Sequence, residues 1–570
     1  MKLHLRSPIR VEPRAVRVLG LSLVASAAAA SAHAQATNGI TVFSIDYRSI
    51  TVSVPDTFTG APITEGDVLA AAALIPQLGP LPVPGTLETG GVAAPQGLAL
   101  GLHGPCVGHL PGTPCGVDVD ALSHGMDRIL GPTIPGTAGA AHIAFSVGLR
   151  SIGVSGFPPD VWDEGQCLEN SADVYVAGFL PPAPVAPFPG INFGIIDGNG
   201  LANCTGTGAF PGVGLVEPNL ASNPGDNIDA LDMDVPDAAF PRTTCSFFSL
   251  DGLIFDPVTL VPGSGSAQAH GFLPGDVLVT NPGGVPQLYA GAMQLGLDLP
   301  PLLPGSDDLD ALILCENGIN GYQRSTVPYD WTTGASDMLL FSVRRGSALI
   351  GTPDSFFGLP IQPGDILTPT GALGTPPGIW IAAEALGLVT FRPNPSISNG
   401  DEVDGLDSLQ EPDAGTPFCG TAGTIGTCPC GNNGFPGRGC GNSVNAAGAI
   451  LWGNGFPSIS NDTVILHASG MPATATCLLY QGTTALGSGV VFGDGLRCVG
   501  GVQQRFPLRT AWCGNRSFGN GVPGDPSLSV YFGITSPTTL HYQVWYRDSA
   551  VFCTPNVFNL SNGYRITWVP

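Results

Sequence analysis

Leu339-Leu340-Phe341-Ser342-Val343 is a short apolar run broken by one serine. Its length and composition read as a β-strand. The copies of this run decide the fold. Phe-Ser followed by an aliphatic residue also occurs at Phe43-Ser44-Ile45, Phe145-Ser146-Val147 and Phe248-Ser249-Leu250, at spacings of 102, 103 and 93 residues. After each, by 24 or 28 residues, an aspartate leads an aliphatic or aromatic pair: Asp67-Val68-Leu69, Asp173-Val174-Tyr175, Asp276-Val277-Leu278 and Asp365-Ile366-Leu367. A Gly-Leu step follows at Gly101, Gly214, Gly296 and Gly387. An aliphatic-Asp-Ala/Gly-Leu element then arrives at Asp120, Asp229, Asp310 and Asp404. In the last three copies a further acid stands three residues earlier, at Asp226, Asp307 and Asp401. Four landmarks in constant order define an internal repeat.

Each landmark reads as a strand or the start of one, bounded by Gly/Pro turns, and no helical periodicity of useful length appears. Four strands in each unit of roughly 100 residues predict an all-β body over residues 35–410, with units beginning near 41, 143, 246 and 339. Two architectures fit: a propeller-like ring, in which units share apolar faces, or tandem β-sandwiches. An aspartate before a strand is a turn residue whose carboxylate accepts from nearby backbone N–H groups. Fourfold repetition therefore assigns the matching aspartates to holding turns rather than to catalysis. Arg48, Arg150 and Arg345 follow three of the landmark phenylalanines by four or five residues. They are expected either to pair with landmark aspartates of their own unit or to stand as solvated strand ends.

The first 34 residues read as a secretory leader. Lys2, Arg6, Arg10, Arg14 and Arg17 precede an apolar run from Val18 to Ala30, and Ala32-His33-Ala34 supplies a small-x-small cleavage site. That run is shorter than the ~20 residues a membrane span needs. No later stretch reaches spanning length without Gly, Pro or charge. A secreted chain is expected, extracellular or at the cell surface, with the periplasm as a further destination. The leader holds five of the 20 basic residues and one of the 44 acids, which leaves 15 arginines against 43 acids and a net charge of −28. This field repels nucleic acid and anionic lipid. The 81 glycines and 55 prolines approach the level of disordered chains, but 43% apolar residues argue for a folded protein rich in turns.

Beyond residue 411 the pattern changes. Residues 411–443 form a Cys/Gly-rich junction, and 444–570 carry seven or eight candidate strands, which predict a disulfide-rich β-sandwich. The candidates are 449–452, 463–468, 476–480, 489–492, 528–532, 540–546 and 564–569. The 14 cysteines are an even number, six before residue 400 and eight after 418. In an exported chain they favour disulfides, with each part able to pair internally. Cys106 and Cys115 are the closest pair to propose in the body. The motifs CPCGNNGFPGRGCGNS (428–443), GVVFGDGLRCVGG (489–501) and HYQVWYRDSAVFCTPNVFNLSNGYRITW (541–568) resemble the cysteine-rich C-terminal module of secreted planctomycete-type proteins. The resemblance covers the last ~150 residues and implies an exported, disulfide-bonded domain without an assigned activity. Its cysteines Cys419, Cys428, Cys430, Cys440, Cys498 and Cys553 are disulfide candidates. Cys477 and Cys513 fall outside the pattern and would form an extra bridge.

The search for chemistry yields little. His103, His109 and His124 lie near Cys106, Cys115, Asp118 and Asp120, but their spacing matches no zinc pattern. The clusters Asp226/Asp229, Asp307/Asp310 and Asp401/Asp404 lack the alternate oxygen ligands of a calcium loop, so calcium enters only through another geometry, one ion per unit. There is no G-x-S-x-G, no H-E-x-x-H and no phosphate-cradling loop. No catalytic residue and no cofactor besides that Ca²⁺ is assigned. The preferred function is a non-catalytic extracellular protein, binding or structural, with a glycan or cell-surface component as partner. Two readings stand beside it: a polysaccharide hydrolase with its site on body loops, and a calcium-stabilised adhesin-like protein. An enzyme should concentrate Trp, His and acids in one unit, whereas Trp162, Trp331 and Trp380 are scattered.

Overall fold

The computed structural model describes residues 39–570 apart from 73–80, 89–99, 103–109, 124–142, 178–191, 207–210, 218–224, 234–244, 253–269, 281–283, 393–399, 411–413, 420–427 and a few isolated positions, among them 150, 430 and 553. The fold is nearly all-β. The first sheet of the body contains β1 (Gly39–Ile45), β2 (Val68–Ala70) and β3 (Gly85–Glu88). The second runs β4 (Ala121–Ser123), β5 (Ile143–Ser146), β6 (Val174–Ala177), β7 (Asn192–Ile196). The third runs β8 (Ile228–Met233), β9 (Ser246–Leu250), β10 (Val277–Thr280), β11 (Gln287–Ala290). The fourth runs β12 (Leu309–Cys315), β13 (Met338–Val343), β14 (Ile366–Thr368), β15 (Gly378–Ile381). The body's last strand, β16 (Val403–Gln410), returns to the first sheet and pairs antiparallel with β1, Phe43 opposite Leu406. Each sequence repeat therefore straddles two sheets: its first strands build one sheet, and its Asp-Ala-Leu strand opens the next.

The four sheets close into a ring. Inner strands β16, β4, β8 and β12 touch in succession, and β12 touches β16 again. Every apolar core lies between neighbouring sheets, so no unit packs two sheets of its own. Strand alternation explains the Phe-Ser signature, because successive side chains leave opposite faces. Each phenylalanine is buried in the core shared with the preceding sheet. Phe43 joins Ile313 and Leu340, Phe145 joins Val42 and Val68, Phe248 joins Val174 and Ile195, and Phe341 joins Phe247 and Val277. Each serine faces the following sheet and donates from Oγ to a backbone carbonyl there. The acceptors are Val119 for Ser44 (2.8 Å), Ile228 for Ser146 (3.0 Å), Leu309 for Ser249 (2.7 Å) and Val403 for Ser342 (2.9 Å).

The Gly-Leu steps are contacts between sheets as well. Gly101, Gly214, Gly296 and Gly387 all have φ between +75° and +89°. A Cβ on Gly387 would meet the Pro82 carbonyl oxygen at 2.1 Å, and one on Gly296 would meet that of Thr375 at 2.6 Å. Only glycine tolerates both the left-handed backbone and the close approach.

The C-terminal region packs two sheets over one core. The larger contains β17 (Thr416–Phe418), β20 (Thr476–Phe492), β21 (Gly495–Arg505), β22 (Arg509–Thr510), β24 (Thr538–Arg547), β25 (Phe558–Leu560) and β26 (Gly563–Trp568). The smaller contains β18 (Ile450–Asn454), β19 (Ile465–Ser469) and β23 (Arg516–Gly519). Three differences from the sequence reading stand out. β17 falls in the stretch read as a junction and pairs with β26, so residues 416–418 belong to the larger sheet. The 489–492 segment continues β20 instead of forming a separate strand. Residues Leu528–Tyr531 are helical, because buried Leu528 and Phe532 sit one turn apart on the same face.

The cysteines also pair across the expected boundary. Cys167–Cys204, Cys419–Cys498 and Cys428–Cys440 are local to body or module, but Cys245 of the body bonds Cys513 of the module. The extra bridge expected between Cys477 and Cys513 does not form, and Cys477 is a buried thiol. Beside the inter-region bond, Trp512 stacks on Tyr289 with ring centroids 5.7 Å apart and joins the core of the third and fourth sheets. Cys115 is disulfide-bonded, while Cys106, Cys430 and Cys553 lie outside the described residues.

Candidate functional site

The repeated acids divide into two groups with different surroundings. Asp67 accepts from the Thr64 amide (2.8 Å), Asp276 from Leu273 and Ala292 (2.9 and 2.8 Å), and Asp365 from Gln362 and Ala383 (both 2.9 Å). Asp173 accepts from the Gly198 amide and the Tyr175 hydroxyl. Asp226, Asp307 and Asp401 bond backbone as well: Asp226 accepts from Val216, Asp307 from Asp298 and Leu349, and Asp401 from Thr51 and Val389. These seven carboxylates fix turns and strand connections.

Asp120, Asp229, Asp310 and Asp404 behave differently. Each stands at or just before the start of an inner strand. In β8 and β12 the cross-strand register skips Asp229 and Asp310, and in β16 it slips across Asp404 and Gly405. Such bulges re-aim a side chain out of the ladder. The four carboxylates converge on the middle of the ring, where their charges act on one another. The two acids of each Asp-x-x-Asp cluster thus have different surroundings. The first acid of each cluster is spent on backbone, and the second belongs to one shared locus.

Two further tiers complete this locus. Two residues before each axial aspartate stand Asp118, Asn227, Asp308 and Glu402; three residues after each landmark phenylalanine stand Asp46, Gly148, Asp251 and Arg344. Arg344 contacts Asp251 (2.5 Å), Asp308 (3.8 Å) and Asp229 (3.9 Å). Arg345 bridges Asp46 and Glu402, both at 3.2 Å, neither of which is a landmark aspartate. Of the other arginines singled out in the sequence, Arg48 lies over the Tyr47 ring at 5.4 Å, and Arg150 is outside the described residues. Landmark aspartates pair with arginines the sequence reading did not name: Asp229 with Arg344 at 3.9 Å and Asp365 with Arg392 at 2.6 Å.

Nine axial carboxylates thus face two guanidiniums. Burial raises Asp308 to about 8, with Asp251 adding to the rise and Arg344 opposing it. Burial and then Asp46 raise Glu402 to about 7. Burial raises Asp120 to about 6 against the hydrogen bond from Asn227 (2.9 Å). Burial, then neighbouring carboxylates, hold Asp118, Asp229, Asp310 and Asp404 well above the ordinary carboxylate range. Hard oxygen donors at this density suit calcium or magnesium.

His103, His109 and His124 lie outside the described residues. Trp331 and Trp380, from consecutive units, meet edge-on at 5.2 Å beside Tyr329, while Trp162 stands apart on the helix Val161–Gly165 (α1) and is 40% exposed. Arg344, Asp308 and Glu402 were not singled out by the sequence reading. Their signal was present in the constant offsets from the landmark Phe and Asp.

Fold and site define an all-β, disulfide-bonded protein: a ring of four sheets around an acid-lined centre, with a two-sheet module bonded to its side. No protein-family model matches the chain, and no curated protein or solved structure matches it. Among the described residues no helix is long and apolar enough to cross a membrane.

Proposed function

We propose that the chain is an exported, non-catalytic protein of the cell surface or extracellular space. In this reading a four-bladed propeller-like body and a cysteine-rich module, of the kind that ends secreted planctomycete-type proteins, act as one binding or structural unit. The observation that carries the proposal is how the repeated residues are used. Phenylalanine fills the joint with one neighbouring sheet, serine clasps the other, and seven aspartates hold backbone. The remaining acids meet at a centre where Asp308 and Asp310 are at most 1% exposed. A glycan substrate needs carboxylates it can reach, and Asp308 and Asp310 are sealed between strands. The disulfides and the leader both fit an oxidising compartment. A surface glycan or cell-surface component is the partner proposed.

Fractionation of the producing cell, with a glycan array and a reducing-sugar assay on the mature protein, tests the reading. The expected result is protein outside the inner membrane that captures glycan without turnover. Release of reducing ends would replace it with the hydrolase reading. A chain retained in the cytoplasm would refute export.

A further inference from the structure

The centre of the ring is neutralised unevenly. On the side of the third and fourth sheets, Arg344 stands among Asp229, Asp251 and Asp308. Where the fourth sheet meets the first, Arg345 spans Asp46 and Glu402. Between the first and second sheets, the carboxylate oxygens of Asp118, Asp120 and Asp404 lie within 4.8 Å of one another. The second sheet has Gly148 at the position where the fourth has Arg344. A Cβ there would stand 2.6 Å from Asp118 Oδ2 and 3.2 Å from Asp120 Oδ1, so that strand has no room to supply a cationic side chain.

A separate observation points the same way. Asp118 Oδ1 and Asp310 Oδ2 are buried and accept no hydrogen bond among the described residues. Asp310 is 1% exposed. Buried acceptors without donors are costly and rare in folded proteins. Asp310 holds on β12 the position that Asp404 holds on β16, these two inner strands touch, and its charge acts on Asp404.

We propose that one hard divalent cation, of the calcium class, binds between the first and second sheets on Asp118, Asp120 and Asp404, with Asp310 beside them. The donors are all carboxylate oxygens, which suits calcium and disfavours metals that prefer imidazole or thiolate. The cation does in this quadrant what Arg344 does across the ring. Asp404 lies on the returning strand β16, and Asp118 and Asp120 lead into β4. The ion therefore ties the strand that closes the ring to its neighbour. Asp118 and Asp404 each keep a partly exposed edge, which gives the ion access.

The test is calorimetric titration of CaCl₂ into the chelator-stripped mature protein, alongside thermal unfolding with and without CaCl₂. Wild type should take up an ion and melt at a higher temperature when loaded. Asp404→Asn and, independently, Asp118→Asn should each weaken that binding at least tenfold and remove the calcium-dependent shift. Both changes relieve repulsion, so both proteins should be at least as stable as calcium-free wild type, which separates lost binding from misfolding. Glu217→Gln alters the other close group of acids, Asp173, Asp197 and Glu217, and should leave the axial ion in place. An unchanged melting temperature and no binding heat in wild type would overturn the proposal. Loss of binding in Glu217→Gln but not in Asp404→Asn would do the same.

Discussion

Body and module are both all-β, but the polar clusters at their centres differ in chemistry. Across the module's larger sheet the cluster is built of amides. Gln543 Oε1 accepts from the Cys498 amide (2.8 Å), and its Nε2 donates to the carbonyls of Leu496 (2.8 Å) and Ser561 (2.7 Å). Asn562 likewise accepts from the Leu451 amide and donates to the Leu451 carbonyl. An amide both donates and accepts, so it can be buried without a counter-ion. The body uses carboxylates, which only accept when ionised and must find donors or cations. The difference teaches that the module's stability is tied to packing, and the body's to protons and counter-ions.

The largest test of this contrast lies in packing. Phe43→Ala, Phe145→Ala, Phe248→Ala and Phe341→Ala should each cost about 3–5 kcal/mol, the usual penalty for emptying a buried aromatic site. All four side chains are at most 1% exposed and each fills one joint of the ring, so the four losses should be alike. Urea unfolding of the four variants measures this. One variant with a loss far below the rest would break the equivalence of the joints.

Next comes pH, where the two regions should respond with opposite signs. In the module, His467 is stacked on Trp452 at 4.3 Å, and burial lowers it to about 4 from 6.5. A lowered histidine contributes stability that is fully present above its unfolded value. That contribution, about 3 kcal/mol, should be lost as pH falls from 6.5 toward 4. His467→Gln should flatten this acid limb of melting temperature against pH. In the calcium-free body, Asp120, Glu402 and Asp308 are raised to about 6, 7 and 8. Raised acids favour the fold when protonated, so body stability should fall as pH climbs from about 4 through 8. Asp308→Asn should reduce that fall, and a body that grows more stable over this range would contradict the sign.

A smaller effect probes the module's amides. Gln543→Leu keeps similar bulk but leaves the Cys498 amide and two carbonyls without partners, at a cost of about 2 kcal/mol. The loss should be the same with calcium or chelator and the same at pH 6 and 8, when followed by thermal unfolding. A calcium-dependent loss would mean that the module senses the state of the body.

Much of the body was legible because its signals are local and repeated. Phe-Ser, the strand-leading aspartate and the Gly-Leu step each report one strand or turn, and four copies reinforce one another. Pairing between strands was less legible. The Asp-Ala-Leu element follows its own unit in the chain but sits in the next sheet, and chain order does not say which edge a strand joins. The two acids of each Asp-x-x-Asp cluster look interchangeable in sequence; three residues of a bulged strand separate one spent on backbone from one at the ring centre. Arg344 was hidden because three of the four units have no arginine at its position. The Cys245–Cys513 bond spans 268 residues and has no local signature. Leu528 and Phe532 show the other limit, since two large apolar residues four apart within five residues suit a strand or a helix turn equally.

The smallest effect concerns the serines, and it sharpens the comparison most within the ring. Each landmark serine makes one hydrogen bond to the next sheet, at 2.7 to 3.0 Å. Serine to alanine removes only that hydroxyl, so each change should cost about 1 kcal/mol. The joints are not identical in covalent terms. Ser44, Ser146 and Ser249 reach sheets that follow in the chain, whereas Ser342 reaches Val403 on β16, the strand that returns to close the ring. Equilibrium unfolding would give four similar losses if all joints open together. An unfolding rate raised most by Ser342→Ala would instead mark the returning strand as the place where opening starts, and the module, with no such seam, gives the reference against which that rate is read.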